Sequence, residues 1–187
     1  MGGGSDRNLL HAGGLRRVLN VAADVKPSYA EIADPRYLWL RLQDDFDQTF
    51  DDVFHDKVFA FIEAGLAKQE PVFVQSLWGI SRSVTAVMSY LMRKYAELDA
   101  SKSDLALLFN TNKSYYERAL VQVQCNREKA MPNLGFTMQL EAYEKQLREK
   151  LGLPRTPGME FMPPLSTPAA LPTVVQPEND DAYPTRD

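Results

Sequence analysis

A change of hydrophobic period within residues 71–95 constrains this chain more than any other feature; the segment reads PVFVQSLWGISRSVTAVMSYLMRKY. It opens with Val72, Phe73 and Val74, a short apolar run that is typical of a strand buried in a parallel sheet. From Val84 onward the apolar residues recur at helical spacing and form a stripe that can pack back on this strand. The sequence therefore predicts a strand, a short loop and a helix in direct succession.

The predicted loop spans residues 76–83 and contains one glycine, three serines and one arginine. Backbone N–H groups of a tight loop, together with the unpaired donors of a helix N-terminus, favour an anion at one point. Arg82 falls in the first helical turn, where a cation is unfavourable for the helix dipole, so we expect an anion beside it. The alternative is a plain connection with a solvated arginine. An internal ion pair that turned this guanidinium away from the loop would argue against the anion site.

Residues 75–83, QSLWGISRS, resemble the signature His-Cys-x-x-Gly-x-x-Arg-Ser/Thr of protein tyrosine phosphatases, in the Gly-x-Ser-Arg-Ser form of the dual-specificity phosphatases. Two adjacent positions differ: Gln75 stands at the histidine and Ser76 at the nucleophilic cysteine. Residues 18–21 resemble the VLNV strand of that family, and residues 130–144 resemble its Pro-Asn-x-Gly-Phe, Gln-Leu, Tyr-Glu ending. The motifs occur in the family's order, so the resemblance covers roughly residues 14–150.

The resemblance implies an α/β fold in which a central, mostly parallel sheet is flanked by helices and a phosphate-binding loop joins strand to helix. It implies a reaction by two displacements at phosphorus that needs no metal and no cofactor, on phosphotyrosine and phosphothreonine in proteins. The catalytic positions it assigns are Ser76 as the nucleophile position, Arg82, Asp44 and Ser83. The phosphate-binding positions are Leu77, Trp78, Gly79, Ile80, Ser81 and Arg82.

An acidic segment follows the predicted second buried strand, residues 37–42, and reads QDDFD. Carboxylates beside an anion site would repel a phosphate unless one of them carries a proton and donates it to the leaving oxygen. The family's general acid lies just after this strand, which implies Asp44, with Asp45 as the second choice. The alternative is a solvated loop that caps the next helix, with Asp51 or Asp52 as the N-cap.

The serine at position 76 changes what this chemistry can achieve. A serine hydroxyl is far harder to ionise than a thiol, and Gln75 cannot accept its proton. Both histidines, His11 and His55, are remote in sequence, so we expect phosphate to be held without turnover. Ser76 is either natural, as in a pseudophosphatase, or an engineered replacement in an active phosphatase; the second departure at Gln75 favours the natural form. A serine hydrolase is disfavoured because the loop has a single glycine, and a scaffold with an unused pocket stays open.

Composition limits the remaining classes of function. The chain has 187 residues, 44% of them hydrophobic, and a net charge of -4, which argues against nucleic acid or an anionic membrane as a partner. Cys125 is the single cysteine, which excludes an intrachain disulfide, and two histidines are too few for a histidine-rich metal site. We find neither a membrane-span candidate nor a signal peptide, so we expect a cytoplasmic or nuclear protein.

The remaining segments predict a flexible lead at residues 1–14, a domain at residues 15–151 and a disordered, Pro-rich acidic tail at residues 152–187 that can bind a partner. Apolar periodicity predicts helices after residue 50, over residues 114–127 and around residues 138–147, with Met138 on the apolar face. Residues 98–113 are interpreted as an insertion with a short helix that pads the core or binds a partner. We expect Asn133 and Gly135 to shape a turn. Arg127 resembles a family arginine near the pocket, although a solvated helix position is the alternative.

Overall fold

The structure is a computed structural model that describes residues 17–27, 34–101 and 114–155. Its elements run β1 (Arg17–Ala22), β2 (Tyr37–Leu42), α1 (Asp52–Leu66), β3 (Val72–Gln75), α2 (Arg82–Ala100), α3 (Tyr115–Gln124) and α4 (Leu134–Leu151). The predicted α/β class and the strand, loop and helix around residue 76 are confirmed. The predicted lead, most of the predicted insertion and all but the first residues of the predicted tail lie outside the described residues.

The described strands form one parallel sheet in the order β2-β1-β3. The central strand β1 is buried along its whole length, whereas most of β2 and β3 is only half-buried. The prediction of full burial for these two strands is therefore wrong, because each borders only β1 within the described sheet. Since all three strands are parallel, the loops that follow Ala22, Leu42 and Gln75 leave the sheet at the same edge.

Helix α2 connects the two hydrophobic clusters of the domain. Its Ala86 packs with residues of the sheet and α1, among them Leu19 and Val58. Its Val84 and Met88 instead pack with residues of α3 and α4. The predicted apolar stripe is confirmed, and the burial of α2 against so many elements fixes the position of its N-terminus, where the loop ends.

Three local predictions need correction. Helix α2 extends to Ala100, so the first residues of the predicted insertion belong to α2, and the predicted short helix lies outside the described residues. Asn133 and Gly135 do not form a separate turn. Asn133 is the N-cap of α4, and its side-chain oxygen accepts the N–H of Phe136. Gly135 lies inside the first turn of that helix. A Cβ at Gly135 would clash with the carbonyl oxygen of Phe46, so the missing side chain allows the acidic segment to pack against α4. Met138 is 46% exposed and does not belong to the core.

The N-caps of α1 and α3 follow the expected chemistry. Asp51 caps α1 by accepting the N–H of Phe54, and Ser114 forms a reciprocal capping box with Glu117 at α3. Across the described ranges, every helix is too short or too polar to cross a membrane.

Candidate functional site

The loop between β3 and α2 presents a row of backbone donors. Gly79 has φ +63, a left-handed conformation that glycine adopts without steric cost, and it turns the chain in the middle of the loop. The backbone N–H groups of residues 77–82 donate to no acceptor within the described part of the chain. The side chains of Leu77, Trp78 and Ile80 are exposed, so these residues can contribute to anion binding only through their backbones. A turn of unused amides at a helix N-terminus is an arrangement that binds anions.

Ser76 lies at the start of the loop and is held by the first turn of α2. Its hydroxyl donates to Ser83 Oγ at 3.0 Å, and the Ser83 N–H donates back to Ser76 Oγ at 3.3 Å. The imidazole of His55 is engaged elsewhere, since it bonds Ser89 and stacks on Tyr143. His11 is outside the described residues. Among those described, Ser76 thus has a hydroxyl partner but no histidine base.

Arg82 is buried and paired with a carboxylate that sequence reasoning missed. Its Nη1 donates to Asp24 Oδ1 at 2.6 Å and to the Leu42 carbonyl at 3.2 Å, and its Nη2 donates to Asp24 Oδ2 at 3.1 Å. The hydrogen bonds from Arg82 lower the pKa of Asp24 below its ordinary value. Both Nη groups of Arg82 are therefore engaged by Asp24.

The side edge of the same guanidinium has no such partner. Arg82 Nε is buried and makes no hydrogen bond within the described residues. The nearest carboxylate oxygen on that side is Asp44 Oδ2 at 3.5 Å, which is an ion pair without hydrogen-bond geometry. A buried donor without an acceptor is unusual in a folded protein and calls for an explanation such as an absent ligand. The ion pair with Asp24 is internal and engages the Nη end of the guanidinium.

Asp44 lies against the loop, as its predicted role requires. Its Oδ1 accepts the hydroxyl of Ser81 at 2.7 Å and the side-chain amide of Asn133 at 3.1 Å. The carboxylate of Asp45 instead accepts the N–H of Asp47, two residues away. Of the two candidates for the general acid, Asp44 is the one whose carboxylate contacts loop residues.

Asn133 and Arg127 complete the surroundings of the loop. Asn133 donates its N–H to Ser81 Oγ at 3.2 Å in addition to its bond to Asp44. Arg127 Nη2 donates to the Trp78 carbonyl at 2.8 Å, and its guanidinium lies beside Gly79. The interpretation of Arg127 as merely solvated is wrong. The family resemblance at residues 130–136 could have indicated that Asn133 contacts the loop, whereas the sequence analysis predicts only a turn there.

Gln75 occupies the last position of β3, directly before the loop. Its side chain is 6% exposed, and its Nε2 donates to the hydroxyl of Tyr37 at 3.4 Å. Its Oε1 is buried without a hydrogen-bond partner among the described residues. The residue directly before Ser76 is therefore an amide with one long hydrogen bond, and an amide cannot act as a base for the Ser76 hydroxyl. In the described ranges, no group of three or more His, Cys, Asp or Glu side chains is arranged to hold a metal ion.

Comparison with known proteins yields matches of a single kind. The pattern of the dual specificity phosphatase catalytic domain matches residues 4–103. Dual specificity protein phosphatase 1B of Arabidopsis thaliana is 28% identical over 77% of this chain and 74% of its own length. Dual specificity protein phosphatase Mpk3 of Drosophila melanogaster is 29% identical over 79% of this chain, which spans only 31% of that relative.

A solved structure gives the same result at the level of the fold. A mouse protein described as a dual specificity phosphatase, in complex with zinc tungstate, superposes with a TM-score of 0.55 at 27% identity. The match covers 79% of this chain and 80% of the mouse chain. The matched residues include the strand, loop and helix that carry Ser76 and Arg82, and on these grounds the chain belongs to the dual-specificity phosphatase family.

Proposed function

We propose that this protein binds phosphotyrosine or phosphothreonine of a partner protein at residues 76–83 and does not hydrolyse it. One observation carries the proposal: within the described residues, neither the N–H groups of residues 77–82 nor the buried Nε of Arg82, which belongs to the same loop, has a hydrogen-bond acceptor. Nε and the Nη2 on the same side form an edge that can donate two parallel hydrogen bonds to a phosphate. The mouse relative was solved with tungstate, a tetrahedral oxyanion of the same shape as phosphate.

The two carboxylates around Arg82 act differently towards such a ligand. Asp24 accepts hydrogen bonds from the Nη groups of Arg82 and none from the loop amides. It therefore leaves the position of the anion open. Asp44 lies on the Nε side at 3.5 Å, where its charge opposes a phosphate. Binding therefore requires Asp44 to move out or to carry a proton. The second possibility is the state that a general acid needs before it protonates a leaving group.

The absence of turnover follows from Ser76. A loop of this kind lowers a cysteine pKa from about 8.5 to about 4–7, which supplies a thiolate at neutral pH. A serine hydroxyl ionises far less readily, and the hydroxyl of Ser83 that it contacts is not a base. The site thus keeps the electrostatic half of phosphoryl transfer without a competent nucleophile.

Calorimetry with orthophosphate and with a phosphotyrosine peptide tests the binding. We expect both to bind the wild-type protein and to shift the amide resonances of residues 77–82 in NMR spectra. Arg82→Lys, which keeps the charge but loses the fork, should weaken both by about tenfold or more. Arg93→Lys is the matched control, since Arg93 pairs with Asp56 and Glu97. Unchanged affinity in a folded Arg82→Lys variant would contradict the proposal.

The second candidate is an active phosphatase whose nucleophile has been replaced by Ser76. Ser76 Oγ is 3.0 Å from Ser83 Oγ, and the carboxylate of Asp44 already contacts the loop, so the departures from the signature are confined to Gln75 and Ser76. Assay of an aryl phosphate with Ser76→Cys, alone and together with Gln75→His, distinguishes the two candidates. Turnover in either variant supports an active phosphatase whose nucleophile was replaced. Absence of turnover in both variants supports a domain that only binds phosphorylated residues.

A further inference from the structure

Exposed apolar side chains gather around the loop. Within the described residues, six large apolar side chains with exposures of 36–66% lie on the segments that surround the loop: Phe46, Leu77, Trp78, Ile80, Met131 and Leu134. We name these six residues the apolar rim. The other five exposed large hydrophobic residues are divided among four helices, so no comparable group forms there. Contiguous exposed apolar surface of this kind marks a binding site rather than an ordinary protein surface.

Hydrogen bonds hold the three segments of the apolar rim together. The N–H of Met131 donates to the carbonyl of Ile80 at 2.9 Å, which places the segment before α4 against the loop. Asn133, directly before Leu134, donates its side-chain amide to the carbonyl of Asp45 at 3.3 Å, directly before Phe46. These bonds place the three segments that carry the rim side by side at the loop, next to the proposed phosphate site.

Charge decides which kind of ligand fits this surface. Asp45 and Asp47 are exposed on either side of Phe46. These charges oppose an anionic bilayer and also oppose acidic residues next to a bound phosphate. Apolar residues on both sides of the phosphorylated residue meet no such repulsion and can be buried against the rim.

We propose that the apolar rim selects phosphoproteins in which bulky apolar residues flank the phosphorylated residue. This proposal rests on the proposed function, because the phosphate anchors the peptide at the loop. Trp78 and Leu134 are each 66% exposed, the largest exposed fraction in the apolar rim. These two residues can therefore bury the largest fraction of their surface when a peptide binds. Burial of two apolar flanking side chains contributes about tenfold or more in affinity relative to serine.

Calorimetry with two phosphotyrosine peptides tests the proposal. The peptides differ only in the residues on either side of the phosphotyrosine, which are leucine in one peptide and serine in the other. We expect the leucine peptide to bind the full chain about tenfold more tightly. The double variant Met131→Ser, Leu134→Ser should reduce this preference to about threefold or less, while orthophosphate affinity stays the same. The control variant Val53→Ser, Leu66→Ser removes two exposed apolar side chains of α1 and should keep the preference.

The possible failures are distinguishable. Equal affinity for both peptides, with orthophosphate still bound, overturns the role of the rim and leaves the proposed function intact. Loss of all phosphate binding in wild type overturns both. Three further outcomes would show that the rim serves another partner, and each overturns the proposal. They are equal binding of the unphosphorylated leucine peptide, rim-dependent binding to phosphoinositide vesicles, and rim-dependent self-association in sedimentation.

Discussion

Asp24 and Arg82 form a two-pronged ion pair, with Nη1–Oδ1 at 2.6 Å and Nη2–Oδ2 at 3.1 Å. The pair links the segment after β1 to the first turn of α2, across the edge where the parallel strands end. The arginine side chain is 3% exposed and that of the aspartate is 42% exposed. The charge of Arg82 is therefore compensated even when the loop holds no ligand, while its Nε has no hydrogen-bond acceptor among the described residues and faces Asp44 Oδ2 at 3.5 Å.

Asp24→Asn should lower the free energy of unfolding at pH 7 by about 1–3 kcal/mol, because it leaves the Nη end of the buried Arg82 with neutral acceptors only, the new amide oxygen and the Leu42 carbonyl. Chemical denaturation in urea measures the change. Asp56→Asn removes the partner of Arg93 in an exposed ion pair and should cost about 0–1 kcal/mol. Equal effects of the two substitutions would show that the Asp24 pair is no more than a surface contact.

The same pair predicts a pH dependence. The hydrogen bonds from Arg82 lower the pKa of Asp24 from its ordinary 3.8, so the folded state favours the ionised carboxylate. The stabilisation is present above the unfolded pKa and is lost as the pH falls through the lower folded pKa. The difference in unfolding free energy between wild type and Asp24→Asn should therefore shrink below about pH 4. A constant difference from pH 7 to pH 2 would contradict this.

Asp44→Asn should strengthen orthophosphate binding by about three- to tenfold, because it removes a negative charge beside Arg82 Nε and keeps an oxygen for Ser81 and Asn133. Calorimetry at low ionic strength measures the change. Asp47→Asn removes the same charge from the same exposed segment and should change affinity by less than about twofold, since exposed charges are screened. Unchanged affinity in Asp44→Asn would show that its carboxylate does not face the bound anion.

Gly79→Ala and Gly152→Ala form a matched pair, since the two glycines have φ +63 and φ +65. Each alanine should cost about 1 kcal/mol of unfolding free energy, because a Cβ is disfavoured in the left-handed region. Only Gly79→Ala should also weaken orthophosphate binding, because it alone distorts the loop that carries the amides. If both variants bind orthophosphate as wild type does, the loop amides are not the anion ligands.

The sequence was sufficient to predict the elements formed by local patterns. The apolar run at Val72 and the helical spacing from Val84 predicted β3, the loop and α2, which follow from periodicity. The place of Asp44 at the loop was implied by the family resemblance. The family resemblance added the order of the segments and therefore the parallel sheet.

The missed features depend on contacts between distant segments. Asp24 and Arg82 are 58 positions apart, and their pairing requires that β1 and α2 end and begin at the same edge of the sheet. No local pattern distinguishes Asp24 from any other acidic loop residue. Asn133 was interpreted as a turn because its bonds to Ser81 and Asp44 exist only once α4 packs against the loop.

His55 should make the protein less stable in mild acid. Its side chain is buried among Phe50, Phe54 and Tyr143, and the loss of hydration lowers its pKa from 6.5 to about 4. Between these values the unfolded chain binds a proton that the folded protein does not, so stability should fall by up to about 1.4 kcal/mol per pH unit below pH 6.5. Urea denaturation from pH 4 to 7 should show this slope in wild type and His11→Gln but a flatter one in His55→Gln; equal slopes in all three would contradict the assignment.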